Sequence, residues 1–100
     1  MNAVIVGADQ LGGIPGVLSS FGIAVSKHIS GRQAAHQRKI ASLPKDAELL
    51  ILFTDFLGHN VMRHFRARAE EDGVKVLACR RSVAALSVSL QRHLGEPAPH

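Results

Sequence analysis

The chain has no tryptophan, no tyrosine and only four phenylalanines. Stacking on aromatic platforms, the usual grip on single-stranded nucleic acid, would fall to phenylalanine alone. Phe21, Phe53 and Phe65 sit in apolar patterns that read as core. Nucleic acid is therefore not the expected partner. One cysteine, Cys79, excludes an internal disulfide framework and a multi-cysteine zinc site, although it can still act as a single ligand. Neither C-x-x-C nor H-x-x-x-H occurs, and His64 stands five residues after His59, so the two point to different sides of a helix and make no zinc pair. No apolar run approaches the ~20 residues that cross a bilayer, so no membrane partner is expected. The opening MNAVIVGADQLGG enters a strand-like run without the basic leader of a signal peptide. A cytoplasmic location is expected.

What is present suits one small domain. With 46% hydrophobic residues in 100, the chain can bury one core and not two. The expected domain runs over 1–94, with 95–100 as a flexible tail. Twelve Lys and Arg against eight Asp and Glu leave a charge of +4, which leans toward an anionic partner without specifying one.

The pattern alternates strands and helices. Ala3–Val6 is a short β-branched run stopped by Gly7, and Ile14, Val17, Leu18 and Phe21 then recur at helical spacing, with Pro15 tolerated in the first turn. Ile23–Ile29 reads as a second strand, followed by a Ser30-Gly31 turn and a polar helix from about Arg32 to Ser42. Leu49–Phe53 is the most apolar stretch and suits a central strand buried on both faces. A helix over 58–71 carries Val61, Met62, Phe65 and Ala69 on one face, and Asp72-Gly73 stops it. Val74–Cys79 is the fourth strand, and Ser82 caps a last helix carrying Val83, Leu86, Leu90 and Leu94. Short connections between alternating elements imply parallel strands. The expected fold is a three-layer α/β/α domain, Rossmann-like or receiver-like, with a four-stranded parallel sheet in the order 2-1-3-4. Such a sheet has two open edges, and a homodimer is expected to cover apolar surface beside them.

Four ordered blocks, VIVGADQLGGIP, HISGR, LPKDAELLILFTDFLGHNVM and CRRSVAAL, resemble the small bacterial family of unknown function catalogued under the number 2325. Its members carry a VVGAD-x-x-G-x-IP turn, an H-x-x-GR segment, a TD-x-x-x-HN block and a closing RRS. The resemblance covers roughly residues 3–90. It implies a Rossmann-like or receiver-like fold and no particular chemistry.

On the expected fold Asp9, Gly31, Arg32, Asp55, His59, Arg80, Arg81 and Ser82 all lie just past the carboxyl end of a strand, the edge where open α/β sheets bind ligands. The turn GADQLGG departs from the dinucleotide pattern G-x-G-x-x-G and lacks the lysine of a P-loop. It can still present N–H groups to an anion, or its glycines can simply permit a tight turn. Arg80, Arg81 and Ser82 combine two forked donors with a helix cap, which fits phosphate or carboxylate; alternatively the arginines pair with Asp55 and Asp9. Asp55 stands where receiver domains carry their phosphorylated aspartate, but the acidic pair and late lysine of those domains are missing, so it is expected to orient the arginines. His59 and Arg63 share a helix face. No nucleophile has an evident base and orienting partner, which argues for a non-enzymatic role.

The reading is a cytoplasmic ligand-binding or sensing domain for a small anionic molecule, first of all a phosphate-bearing nucleotide. Its expected site is Asp9, Gly12, Arg32, Asp55, His59, Arg63, Arg80, Arg81 and Ser82. The alternatives are a haem or metal sensor using Cys79 with His28 or His59, since haem iron accepts thiolate and imidazole ligands, and a protein-interaction module with no small ligand.

Overall fold

A computed structural model describes residues 1–30 and 43–95. Strand β1 (Asn2–Val6) leads through a loop to helix α1 (Ile14–Ser20), and β2 (Ala24–Ile29) follows. After it come β3 (Leu49–Phe53), one 3-10 turn (Thr54–Phe56), α2 (His59–Asp72), β4 (Lys75–Cys79) and α3 (Val83–Leu94). The strands are all parallel and ordered β2-β1-β3-β4, as expected. The polar helix expected over 32–42, with Gly31 and Arg32, lies outside the described residues, as do 96–100 of the expected tail.

Burial explains the order. Every residue of β3 and residues 3–6 of β1 are buried, as continuous apolar runs must be when helices cover both faces of a sheet. The alternation of side chains along each strand divides the core in two. Ala3, Ile5, Leu49, Ile51, Phe53 and Leu77 pack against Ile14 and Leu18 of α1 and Leu86 and Leu90 of α3. Val4, Val6, Leu50 and Leu52 pack against Phe65 and Ala69 of α2 on the other face. The less apolar β2 takes the edge and is exposed from Ala24 to Lys27.

The register between β1 and β2 jumps between Ala3, opposite Val25, and Val4, opposite Lys27. Ser26 is the extra residue of a bulge, and its hydroxyl donates to the Ala3 carbonyl at 3.2 Å. Downstream of the bulge His28 stands opposite Ile5 and Ile29 opposite Val6.

Three strand starts differ from expectation by one residue: β1 begins earlier, at Asn2, whereas β2 and β4 begin later, and for those two helix closure is the reason. The Ile23 amide donates to the Leu18 carbonyl at 2.9 Å and the Val74 amide to the Ala69 carbonyl at 2.8 Å, so both residues belong to the turns that end α1 and α2. On the outer side of α2 Arg63 and Arg66 are exposed and Arg68 pairs with Glu71 at 3.0 Å, the solvated face its charges suggested. Among the described residues no helix is long and apolar enough to cross a membrane.

Candidate functional site

The chain leaves β1 through a left-handed stretch, with φ of 105° at Gly7, 64° at Ala8 and 52° at Gly12. Only glycine suits the first position. A Cβ there would lie 3.1 Å from the Phe53 Cβ and 3.3 Å from the Phe53 carbonyl oxygen, in addition to the backbone strain. Ala8 adopts its φ in spite of a Cβ, and the cost is offset by an outside hold on the loop. His28 Nε2, at the end of β2, lies 3.1 Å from the Gly7 carbonyl and 2.9 Å from the Ala8 carbonyl. Carbonyls only accept, so Nε2 carries the proton and donates to both.

The chain leaves β4 into a turn tied to the other loops. The Arg81 amide donates to Asp55 Oδ1 at 2.9 Å, and Arg81 Nε donates to the Gln10 carbonyl at 2.8 Å. Gly12 makes room for that guanidinium, since a Cβ there would stand 3.3 Å from Arg81 Nη2. Ser82 caps α3, its Oγ accepting from the Ala85 amide at 3.2 Å.

Between these loops lies an open cavity of about 350 Å³ lined by Ala8, Asp9, Gln10, Phe56 and Arg81. Its walls come from the exits of β1, β3 and β4, and β1 and β3 are the neighbouring strands between which the order reverses. Open α/β sheets bind ligands at such a switch point. The volume is at the small end of the ~300–1,000 Å³ typical of ligand sites, which suits a small molecule.

The expected site residues divide into groups. Asp9 and Arg81 line the cavity. Asp55 and Gly12 hold or accommodate Arg81, and Ser82 fixes the start of the helix that follows. His59, Arg63 and Arg80 are exposed and do not line the cavity, and Arg32 lies outside the described residues. Asp55 orients Arg81 through its main-chain amide rather than its guanidinium. Among the described residues the only ion pair is Arg68 with Glu71, so neither Arg80 nor Arg81 is bridged to Asp9 or Asp55.

Sequence reasoning missed three lining residues, Ala8, Gln10 and Phe56. Gln10 contributes a carbonyl, which no side-chain pattern announces. Phe56 had a signal: it is the phenylalanine outside the apolar patterns, and it is 48% exposed.

Cys79 lies on the α1/α3 side of the sheet, half-buried against that core. Burial pushes its thiol up to about 11, the Asp55 carboxylate adds to the rise, and a hydrogen bond with Ser89 opposes it. At neutral pH it is a thiol, and iron would have to displace that proton to bind it. Of the three haem-ligand candidates, Cys79 carries a proton that iron would have to displace, His28 has Nε2 committed to the β1 loop and offers only Nδ1, and His59 is exposed. Among the described residues no group of three or more His, Cys, Asp and Glu side chains could hold a metal ion.

No curated protein and no solved structure matches this chain. The ordered blocks and the parallel sheet they build agree with one further finding: residues 2–93 match the family described as "Uncharacterized protein conserved in bacteria (DUF2325)", and the chain belongs to that family.

Proposed function

We propose that the domain binds a small anionic ligand, without catalysis, in the cavity at the carboxyl edge of its sheet. The observation that carries this reading is the setting of Arg81. Its amide is tied to Asp55 and its Nε to Gln10, so the side chain stands fixed on the cavity wall. Its terminal amino groups make no hydrogen bond among the described residues. A guanidinium placed in advance binds a carboxylate or phosphoryl group without a further ordering cost.

Asp9 and Phe56 narrow the ligand. A carboxylate on the same wall repels a bare anion, so the best occupant joins its anionic group to hydroxyl or amino donors that Asp9 can accept. Exposed Phe56 offers an apolar ring to the rest of the molecule. A phosphorylated ligand with hydroxyls and a flat ring, such as a nucleoside monophosphate, meets all three demands.

Thermal unfolding of the full chain with inorganic phosphate, a nucleoside monophosphate and a dicarboxylate tests the reading. A ligand at a hundredfold excess over its Kd stabilises by about 2.7 kcal/mol, a shift easily seen in a domain of this size. The expected result is stabilisation by a phosphorylated compound that disappears in Arg81→Ala. Stabilisation by none of the three, or an unchanged shift in Arg81→Ala, would overturn the reading.

A further inference from the structure

The geometry at His28 points to a more specific arrangement: we infer that His28 is a positioning residue that turns the Ala8 and Asp9 amides toward the cavity, so that the ligand's charged group is an oxyanion held by these two N–H groups together with Arg81. The inference rests on the anion-site reading above and adds what holds the anion.

In a planar trans peptide the N–H points opposite to the preceding carbonyl. The Gly7 and Ala8 carbonyls converge on one nitrogen, His28 Nε2, at 3.1 and 2.9 Å. The N–H groups of Ala8 and Asp9 must therefore both point away from His28. His28 belongs to β2, on the far side of β1, whereas the other cavity walls come from the exits of β3 and β4. The two amides are thus aimed to the cavity's side of the loop, and the cavity is lined by the residues that carry them.

Neither amide is used among the described residues. Among the described residues no acceptor takes the Ala8 or Asp9 N–H, although Ala8 is 1% exposed. Buried backbone donors are nearly always satisfied, and an unmatched one asks what satisfies it in the working state. Successive N–H groups turned to one side by left-handed residues make a concavity suited to anions. Here Ala8 has φ of 64°, and Arg81, which also lines the cavity, has terminal amino groups with no hydrogen bond among the described residues. A tetrahedral phosphoryl group, with several acceptor oxygens, can offer separate oxygens to the amides and the guanidinium.

The test is a proton–nitrogen correlation NMR titration of the full chain with inorganic phosphate. The expected result is that the Ala8 and Asp9 amides move with the same affinity as the Arg81 side-chain signals. In His28→Leu the affinity should fall about tenfold or more, the scale of a lost charge-assisted contact, while His28→Gln, which keeps an N–H donor at similar reach, should stay within about threefold of wild type. If phosphate perturbs Arg81 while Ala8 and Asp9 stay still, the inference fails and the anion site survives. It fails likewise if His28→Leu binds as tightly as wild type, or if His28→Gln is as weak as His28→Leu. If phosphate perturbs neither Arg81 nor the amides, the anion-site reading fails with it. Should His28→Leu not fold, the wild-type amide shifts decide by themselves.

Discussion

The two ends of the strands treat their polar groups in opposite ways. At the amino end they satisfy one another: the Asn2 amide donates to the Glu48 carboxylate at 3.3 Å and its side chain to Asp46 at 3.2 Å. The Glu48 amide returns to the Asn2 carbonyl at 2.9 Å, and the Ala24 amide reaches the Met1 carbonyl at 2.8 Å. At the carboxyl end the polar groups are held but not used up. His28 donates to two carbonyls, and among the described residues the Ala8 and Asp9 amides and the terminal amino groups of Nε-anchored Arg81 have no partner. Mutual satisfaction is what stability asks of a strand end, and an oriented surplus is what recognition asks of it.

The strongest way to break the contrast is Gly7→Val, which forces a branched side chain onto φ of 105° and against Phe53. A stability loss of about 3 kcal/mol in urea unfolding is expected, with the cavity lost as well. A loss under about 1 kcal/mol would show that the carboxyl end is softer than its packing implies.

A paired comparison comes next. Arg81→Ala should weaken binding of a phosphorylated ligand at least about tenfold while costing little stability, because the removed donors face the cavity. Glu48→Ala should do the reverse, lowering stability by about 1 kcal/mol and leaving binding unchanged. Calorimetric titration and urea unfolding of both variants check the pair, and equal effects on the two measurements would dissolve the distinction.

Cys79 gives a pH signature to the carboxyl end. Its thiol ionises at about 11 in the folded chain against an ordinary 9.0, so the folded state keeps the proton longer. The sign follows: this contribution to stability is complete below pH 9.0 and is lost as pH rises toward about 11. Urea midpoints should therefore fall over that range, and the fall should be shallower in Cys79→Ala. Asp55→Asn keeps an oxygen acceptor for the Arg81 amide and removes the charge, so alkylation of Cys79 should begin at lower pH in that variant. An unmoved alkylation profile would mean that burial alone sets the thiol.

The smallest effect is expected from Asp9→Asn. Removing a partly solvated charge from the wall should tighten inorganic phosphate about threefold and weaken a hydroxyl-bearing nucleotide by a similar factor. Parallel titrations check it. Equal changes for both ligands would remove Asp9 from the site.

The fold was legible because continuous apolar runs in β1 and β3, helical spacing of apolar residues and helix stops and caps all report local rules that burial enforces. The Ser82 cap and the α3 boundaries fell where the pattern put them. The site was legible as an edge but only partly as a set of side chains. Arg80 and Arg81 read as a pair, but adjacent residues leaving a strand point in different directions, and only Arg81 turns to the cavity. His59 and Arg63 share a helix face that does not line the cavity. The contributions of Gln10 and of the Gly7 and Ala8 carbonyls are main-chain ones, which residue identity does not encode.

The bulge at Ser26 shows how narrow the tolerance is. Each residue along a strand reverses its side, so one added residue exchanges odd positions for even ones over everything that follows. Because of Ser26, Ile29 stands opposite Val6 and packs with it in the α2 side of the core, while His28 ends within reach of the β1 loop. Were Ser26 paired regularly instead of bulged, Lys27 would stand opposite Ile5 and His28 opposite Val6, and Ile29 would lie past the end of β1 and out of the core. An edge strand, the least buried of the four, therefore sets the parity by which the loop is held, and it does so by where it bulges rather than by which of its side chains meet solvent.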